Sequence, residues 1–390
     1  MGRGLGTQKQ LWQAAGRLAA IQMGVPMTNL SRKAISFGLA SLLSATTMSL
    51  VYPEEPYVPW HLLARKNECS DQTEWENIIK ESRKLLLKGD FQELEDLASE
   101  YQEDKSRTSD GRWKLALFYY GVGSPVSTGL PFSSSKASQK EWDRFHDQIK
   151  SWNQAYPEST TAKLAQAEMY TWLAWKSRGH GYASELTEEQ VEGFHRNMKN
   201  AENLLVSQME EGVGETNNPH YYTTLISILR SSARSMSGKG VIQAAMELEP
   251  EYTPALGLYA NFLLPRWGAE PGELFAFAEV AANQAPAGKG PEVYARIMMR
   301  VVSGVKPKFF KENFADQFSW EITNQGFHDM EERYPDSCWN LNSHALFASI
   351  VEDKETAKPL FERIGKGWDK YIWREYKYFE ESGKWARRRK

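Results

Sequence analysis

The sequence predicts an all-α protein: an α-solenoid of stacked antiparallel helix pairs, degenerate and tetratricopeptide-like, behind an N-terminal signal or anchor segment. Three observations predict it. Apolar residues recur at helical spacing through the body, residues 52–390. No convincing run of alternating strands interrupts them. One helix joint recurs three times, as Ala155-Tyr156-Pro157-Glu158-Ser159, Leu248-Glu249-Pro250-Glu251-Tyr252 and Arg333-Tyr334-Pro335-Asp336-Ser337.

Each joint places proline between two helical patterns, at or near the first turn of the second. Small residues follow where paired helices approach: Ala162, Ala165 and Ala167; Ala255, Gly257 and Ala260; Ser343, Ala345 and Ala348. This is how helical hairpins of the tetratricopeptide type are joined. The prolines lie 250 − 157 = 93 and 335 − 250 = 85 residues apart. Neither is a multiple of the repeat length of about 34 residues, so single repeats are degenerate or interrupted.

In chain order, Trp75, Ile78, Ile79, Ser82 and Leu86 share one helix face, opened by Thr73 with Glu76 as its capping-box partner. Gly89-Asp90 ends that helix, and Phe91, Leu94, Ala98 and Tyr101 trace the next. Trp113–Tyr120 is a dense apolar run, helical or extended, and Gly121–Ser138 is the longest loop. Trp142, Phe145, Ile149, Trp152 and Tyr156 carry the period to Pro157, and Ala162–Trp175 is a wide apolar helix. Thr187 and Gln190 form a second capping box, ahead of the stripe Val191, Phe194, Met198, Ala201 and Leu205. Further helices are expected over 220–235, 241–248, 255–264, 272–284, 291–303, 326–333, 339–351 and 356–363. The aromatic, charged segment Trp368–Trp385 suits a docking helix or a cap.

Ahead of the body lies Ala34–Val51, eighteen residues without a charge. As a helix it would span roughly 27 Å, just short of a bilayer core of about 30 Å. Ser36, Ser41, Ser44, Thr46, Thr47 and Ser49 dilute its hydrophobicity. A basic region before a short apolar run marks a secretory signal peptide, although Thr47-Met48-Ser49 is a poor cleavage site. Residues 1–33 hold no acidic residue, and Glu54 and Glu55 follow the segment, so the charge bias places the body outside the cytoplasm. A start at Met27 would give a compact basic region, MTNLSRK. The alternative is a buried core helix; the lopsided flanks favour export. The expected location is therefore extracytoplasmic, with the membrane touched only through this segment.

Net charge is 47 − 50 = −3, which gives no global field for nucleic acid, and none is expected as a partner. The basic tail Arg387–Lys390 reads as a solvated terminus. Two cysteines, Cys69 and Cys338, are too few for a disulfide scaffold or a cysteine zinc site, but they can pair in an oxidising compartment.

The runs LEDLASEYQEDKSRTSDGRWKLALFYYG (Leu94–Gly121), Tyr170–Ala183 and Leu263–Gly268 resemble a bacterial domain-of-unknown-function family with tetratricopeptide-like helices. The resemblance covers roughly residues 70–285. It implies the helical-repeat fold and carries over no activity and no catalytic residue.

Chemistry-bearing motifs are scarce. The pairs at Gly238-Lys239-Gly240, Gly288-Lys289-Gly290 and Gly365-Lys366-Gly367 lack the upstream glycine of a phosphate loop and the hydroxyl residue after lysine. Seven histidines include no pair four apart, and no metal or cofactor is expected. There is no Gly-x-Ser-x-Gly elbow. His180, between Gly179 and Gly181, can bind a ligand or simply face water, and the solvated reading is favoured.

The candidate binding residues are arginine–tryptophan pairs near loop ends: Arg112-Trp113, Trp175 with Arg178, and Arg266-Trp267. An arginine fork orients a carboxylate and stacks on indole, which suits peptide or glycan recognition in a solenoid groove. Packing between helix pairs is the competing reading of each tryptophan. The expected function is a protein- or peptide-binding scaffold, with the three pairs converging on one face. An enzyme with a cleft assembled from distant loops is the alternative, with Asp110, Glu185, Glu270 or Glu273 as candidate acids.

Overall fold

The computed structural model describes residues 70–126, 137–179, 185–210, 217–229 and 238–388. The apolar segment at 34–51, the basic region ahead of it and His180 lie outside the described residues.

The all-α expectation holds. Among the described residues the helices are α1 (Ser70–Lys88), α2 (Phe91–Glu103), α3 (Lys114–Gly123), α4 (Gln139–Ala155), α5 (Thr160–Arg178), α6 (Glu188–Glu210), α7 (His220–Leu229), α8 (Gly238–Leu248), α9 (Thr253–Phe262), α10 (Glu273–Gln284), α11 (Gly290–Val305), α12 (Pro307–Phe314), α13 (Trp320–Arg333), α14 (Cys338–Ile350), α15 (Lys354–Ile364), α16 (Lys370–Trp373) and α17 (Tyr376–Arg387). A 3₁₀ turn, Pro265–Trp267, follows α9. No helix among the described residues is long and apolar enough to cross a membrane.

The three proline joints share one hydrogen-bond pattern. The N–H of Tyr156, Glu249 and Tyr334 each closes on the carbonyl four residues back, at 2.9, 2.9 and 2.7 Å. Three residues later, the N–H of Ser159, Tyr252 and Ser337 bonds the Tyr156, Glu249 and Tyr334 carbonyl, at 3.0, 2.9 and 3.1 Å. Each proline thus stands in the turn, two residues ahead of the N-cap, rather than inside the first helical turn. The residue before proline is held out of the α region, which ends the preceding helix. Ser159 and Ser337 then accept the amides of Ala162 and Asn340 as N-caps.

Several boundaries differ from those predicted. Thr73 lies inside α1, which starts at Ser70. The Trp113–Tyr120 run is helical, and the helix continues through Gly121 to Gly123 where a loop was expected. A Cβ on Gly121 would come 2.6 Å from the Ile79 carbonyl, so this glycine serves close approach of α3 to α1 rather than a turn. Gly326 does the same within α13, where a Cβ would strike the Pro291 carbonyl of α11. The Thr187–Gln190 capping box forms as predicted, with bonds of 2.9 and 3.3 Å.

Odd-numbered helices pack on one another across the intervening ones: α1 on α3, α3 on α5, α5 on α7, α7 on α9, and α9 on α11. Gly257 and Asn261 of α9 face Arg300 and Gly304 of α11 in the same order, so those two helices run parallel. After α11 the register changes. Tyr294 and Pro291 of α11 meet Ser319 and Gly326, so α13 runs antiparallel to α11. Finally α14 returns to α1. There Asp71 accepts the Ser337 hydroxyl and the Trp339 N–H, both at 2.9 Å. Cys338, between them, is disulfide-bonded; the chain's other cysteine is Cys69.

Candidate binding site around the Thr108–Trp113 turn

The turn between α2 and α3 is where distant parts of the body meet. It closes through Gly111 N–H to the Thr108 carbonyl at 2.8 Å and Thr108 N–H to the Arg112 carbonyl at 2.9 Å. Gly111 takes φ +86°, and a Cβ there would strike the Arg296 guanidinium and the Tyr334 ring. Only glycine fits both demands.

Asp110, fully buried, organises the turn. Its carboxylate accepts from the Trp75 indole N–H and from Arg112 Nε, each at 2.9 Å, and from the Thr108 hydroxyl. Its backbone carbonyl accepts Arg296 Nη2 at 2.8 Å and Asn340 Nδ2 at 3.2 Å. A charge this enclosed is stable only when hydrogen-bonded and paired, and Arg112 supplies the pair.

Held from one side by Asp110, the Arg112 guanidinium lies over two indoles. Its central carbon is 3.5 Å from the Trp75 ring centroid and 4.7 Å from that of Trp339. The two rings meet edge to face at 4.7 Å. Trp75 and Trp339 are buried, whereas the Arg112 side chain keeps 30% of its surface open. Anchored by Nε, it holds its remaining N–H donors in a fixed plane.

Trp113 points the other way. It is buried, donates its indole N–H to the Glu251 carbonyl at 2.8 Å and contacts the Tyr252 ring at 4.9 Å. Arg107 covers its other face at 3.0 Å. It ties the turn to the second proline joint, and the surface offered at this dipeptide is that of Arg112.

Within electrostatic reach of Arg112 lie Tyr120 of α3 and Arg300 of α11. Both are half-buried. Burial raises the Tyr120 hydroxyl pKa, opposed by the two arginines, and lowers that of Arg300, opposed by Tyr120. Asp369, ahead of α16, also feels Arg112; burial pushes its carboxyl up to about 6. It accepts the N–H of Tyr371 and Ile372, at 2.8 and 3.1 Å, and the Gln72 side-chain amide.

Beside this set runs a buried relay. The His220 ring nitrogens contact the Tyr252 hydroxyl at 2.8 Å and Glu168 at 3.2 Å, and the ring stacks on Tyr119 at 4.4 Å. Thr224 donates to the same Glu168 oxygen, and Asn218 Nδ2 donates to the Tyr119 hydroxyl at 2.7 Å. His220 and Thr224 have no exposed surface. These groups satisfy one another and join α3, α5, α7 and the start of α9.

The other predicted residues have separate neighbours. Trp175, half-buried at the end of α5, meets Phe194 of α6 edge to face at 5.2 Å, with Arg178 5.7 Å from its ring. Arg266 and Trp267 sit exposed on the 3₁₀ turn, Trp267 with 46% of its surface open. Arg266 reaches the Gly304 carbonyl at 3.5 Å, one helical turn beyond Arg300. Among the candidate acids, Asp110 is saturated by its partners, and Glu273 accepts the N–H of Glu270 at 3.1 Å as a helix-start cap. Among the described residues, no group of three or more His, Cys, Asp or Glu could hold a metal ion.

Sequence reasoning passed over Trp75, Trp339, Tyr120 and Arg300. The first three follow the apolar stripe of their helices and read as core. Arg300 left a visible signal: Arg296 and Arg300 are four apart in GPEVYARIMMRVVSGV, an otherwise apolar helix. No protein-family model, curated protein or solved structure matches the chain.

Proposed function

We propose that this chain is an exported helical-repeat protein of the cell envelope that binds a peptide segment of a partner protein. The carrying observation is Arg112: anchored by Asp110, laid on Trp75 and Trp339, and still partly open. Pre-fixed arginine and aromatic groups lose little side-chain entropy on binding, which is why they dominate recognition surfaces.

The skip-one stacking of α1 through α11 supports an α-solenoid, and a solenoid offers a continuous concave surface for an extended chain. Membership of the tetratricopeptide-like family named above belongs to the same proposal. Export rests on the charge asymmetry around residues 34–51, and the disulfide at Cys338 supports it, since such bonds persist in oxidising compartments.

Display selection of random peptides on the immobilised full chain tests the binding reading. A consensus should emerge, and its members should bind Arg112→Met at least tenfold more weakly. Failure to enrich any consensus, or equal binding by the variant, would remove the site. A reporter active only after export, fused behind residue 390, tests the location; activity from a cytoplasm-only reporter instead would overturn it.

A further inference from the structure

We propose that Arg300 and Tyr120, with Arg112 beside them, form an oxyanion subsite that holds a carboxylate or phosphate group of the bound ligand. The inference rests on the peptide-binding reading and specifies which part of the ligand is gripped.

The first reason is an imbalance of donors and acceptors. Among the described residues, the Arg300 guanidinium has neither a hydrogen bond nor an ion pair, and the Tyr120 hydroxyl has no hydrogen-bond partner. A half-enclosed guanidinium cannot neutralise itself by losing a proton. It normally takes a carboxylate, none among the described residues pairs with it, and the buried carboxylates of the neighbouring elements are engaged elsewhere. Asp110 is occupied by Trp75, Thr108 and Arg112. Asp369 is engaged by two backbone amides and Gln72. Glu168 takes Thr224 and His220, and Glu292 takes Arg296 and Arg333.

Secondly, the groups that act on Arg300 beyond its burial are Tyr120 and another arginine, Arg112. The like charge of Arg112 opposes that of Arg300 across partly desolvated space. Beyond the Arg112–Asp110 pair, the Arg300 guanidinium and the Tyr120 hydroxyl offer donors that no acceptor among the described residues takes. The group that completes them carries negative oxygens, and charge-assisted bonds from planar forks are the strong kind.

Thirdly, α9 is shaped to admit the Arg300 stem. A Cβ on Gly257 would stand 2.8 Å from Arg300 Cγ and 3.0 Å from its Cβ. Glycine within a helix costs about 1 kcal/mol relative to alanine. Here it seats an arginine that has no hydrogen-bond or ion-pair partner among the described residues.

The test titrates the full chain, wild type and Arg300→Met, Tyr120→Phe and Gly257→Ala, with inorganic phosphate and separately with succinate, at low salt by calorimetry. At least one anion should bind saturably to the wild type. Arg300→Met should weaken it tenfold or more, Tyr120→Phe severalfold, and Gly257→Ala measurably by displacing the arginine. Tighter binding of phosphate assigns a phosphate ligand; tighter binding of succinate assigns a carboxylate. Without anion, Arg300→Met should unfold at the same temperature as wild type or higher, because it removes a repelled charge. No saturable binding of either anion, unchanged binding by both Arg300→Met and Gly257→Ala, or an Arg300→Met chain that unfolds early would overturn the subsite. Peptides enriched on the wild type that bind Arg300→Met equally would separate its failure from that of the binding reading.

Discussion

The carboxylate of Asp71 accepts the backbone N–H of Trp339 at 2.9 Å, across a sequence separation of 268 residues. The same oxygen accepts the Ser337 hydroxyl, and the other takes the Ser109 hydroxyl at 3.2 Å. One residue on α1 thus supports the start of α14 and the turn that carries Arg112. Asp71→Ala should leave the Trp339 N–H unpartnered and cost about 2–3 kcal/mol, the desolvation penalty of a buried group without its acceptor. Urea unfolding measures it; a change below about 0.5 kcal/mol, the size of an ordinary surface substitution, would show the junction to be incidental.

Gly111 and Gly365 separate two costs of replacing glycine. Both have positive φ, +86° and +55°, but a Cβ on Gly365 meets nothing, whereas one on Gly111 meets Arg296 and Tyr334. Gly365→Ala should therefore cost only the backbone strain of φ +55°, ψ −110°, about 2 kcal/mol. Gly111→Ala adds displacement of two packed side chains and should cost roughly 3 kcal/mol or more. It should also weaken peptide binding by shifting Arg112. Equal unfolding midpoints for the two variants would contradict the close approach.

Much of the fold was legible because helical periodicity and punctuation are local. The proline joints, the Thr187–Gln190 box and the break at Gly89-Asp90 each depend on a few neighbouring residues, and each appears in the structure. The errors arise where a distant partner decides. Gly121 reads as the start of a loop and is helical, and the helix expected from 326 already starts at Trp320; α1 and α11 press against these two glycines. Helix α12 went unnoticed because its eight residues, PKFFKENF, span barely two turns. The site was half legible for the same reason. Arg112 was visible as a residue type beside tryptophan, but the rings it lies on are Trp75 and Trp339 rather than its neighbour Trp113. Nothing local in a sequence says which tryptophan an arginine will meet.

Asp369 gives a pH dependence of defined sign. Its carboxyl is raised by burial from 3.8 to about 6, so the folded state holds this proton more tightly than the unfolded chain does. The ionised form is penalised only in the folded state. The penalty is absent below about pH 3.8, grows as pH rises toward 6, and is complete above that. Two pH units correspond to roughly 3 kcal/mol. Asp369→Asn removes the titration while an amide oxygen can still accept the Tyr371 and Ile372 N–H. The stability difference, variant minus wild type, should rise between pH 4 and pH 7 by a sizeable part of that amount. A difference flat across this interval, from urea unfolding in steps of pH, would show that Asp369 ionises without penalty.

The disulfide at Cys338 links stability to compartment. Cys338 opens α14 between Ser337 and Trp339, both bonded to Asp71 of α1, and the other cysteine, Cys69, directly precedes α1 in sequence. A bond there closes most of the body into one loop and removes unfolded-state entropy worth roughly 5–6 kcal/mol on a chain-entropy account. Cys338→Ser, or dithiothreitol on the wild type, should therefore lower the unfolding temperature by about 5–10 °C. The two treatments should not add, because they remove the same constraint. Protein directed to an oxidising compartment should carry no free thiol, whereas a cytoplasmic form without the N-terminal segment should carry two and unfold at the lower temperature. Free-thiol titration and thermal unfolding of the two preparations check this directly. Two reactive thiols in protein recovered from outside the cytoplasm would break the connection between bond and location.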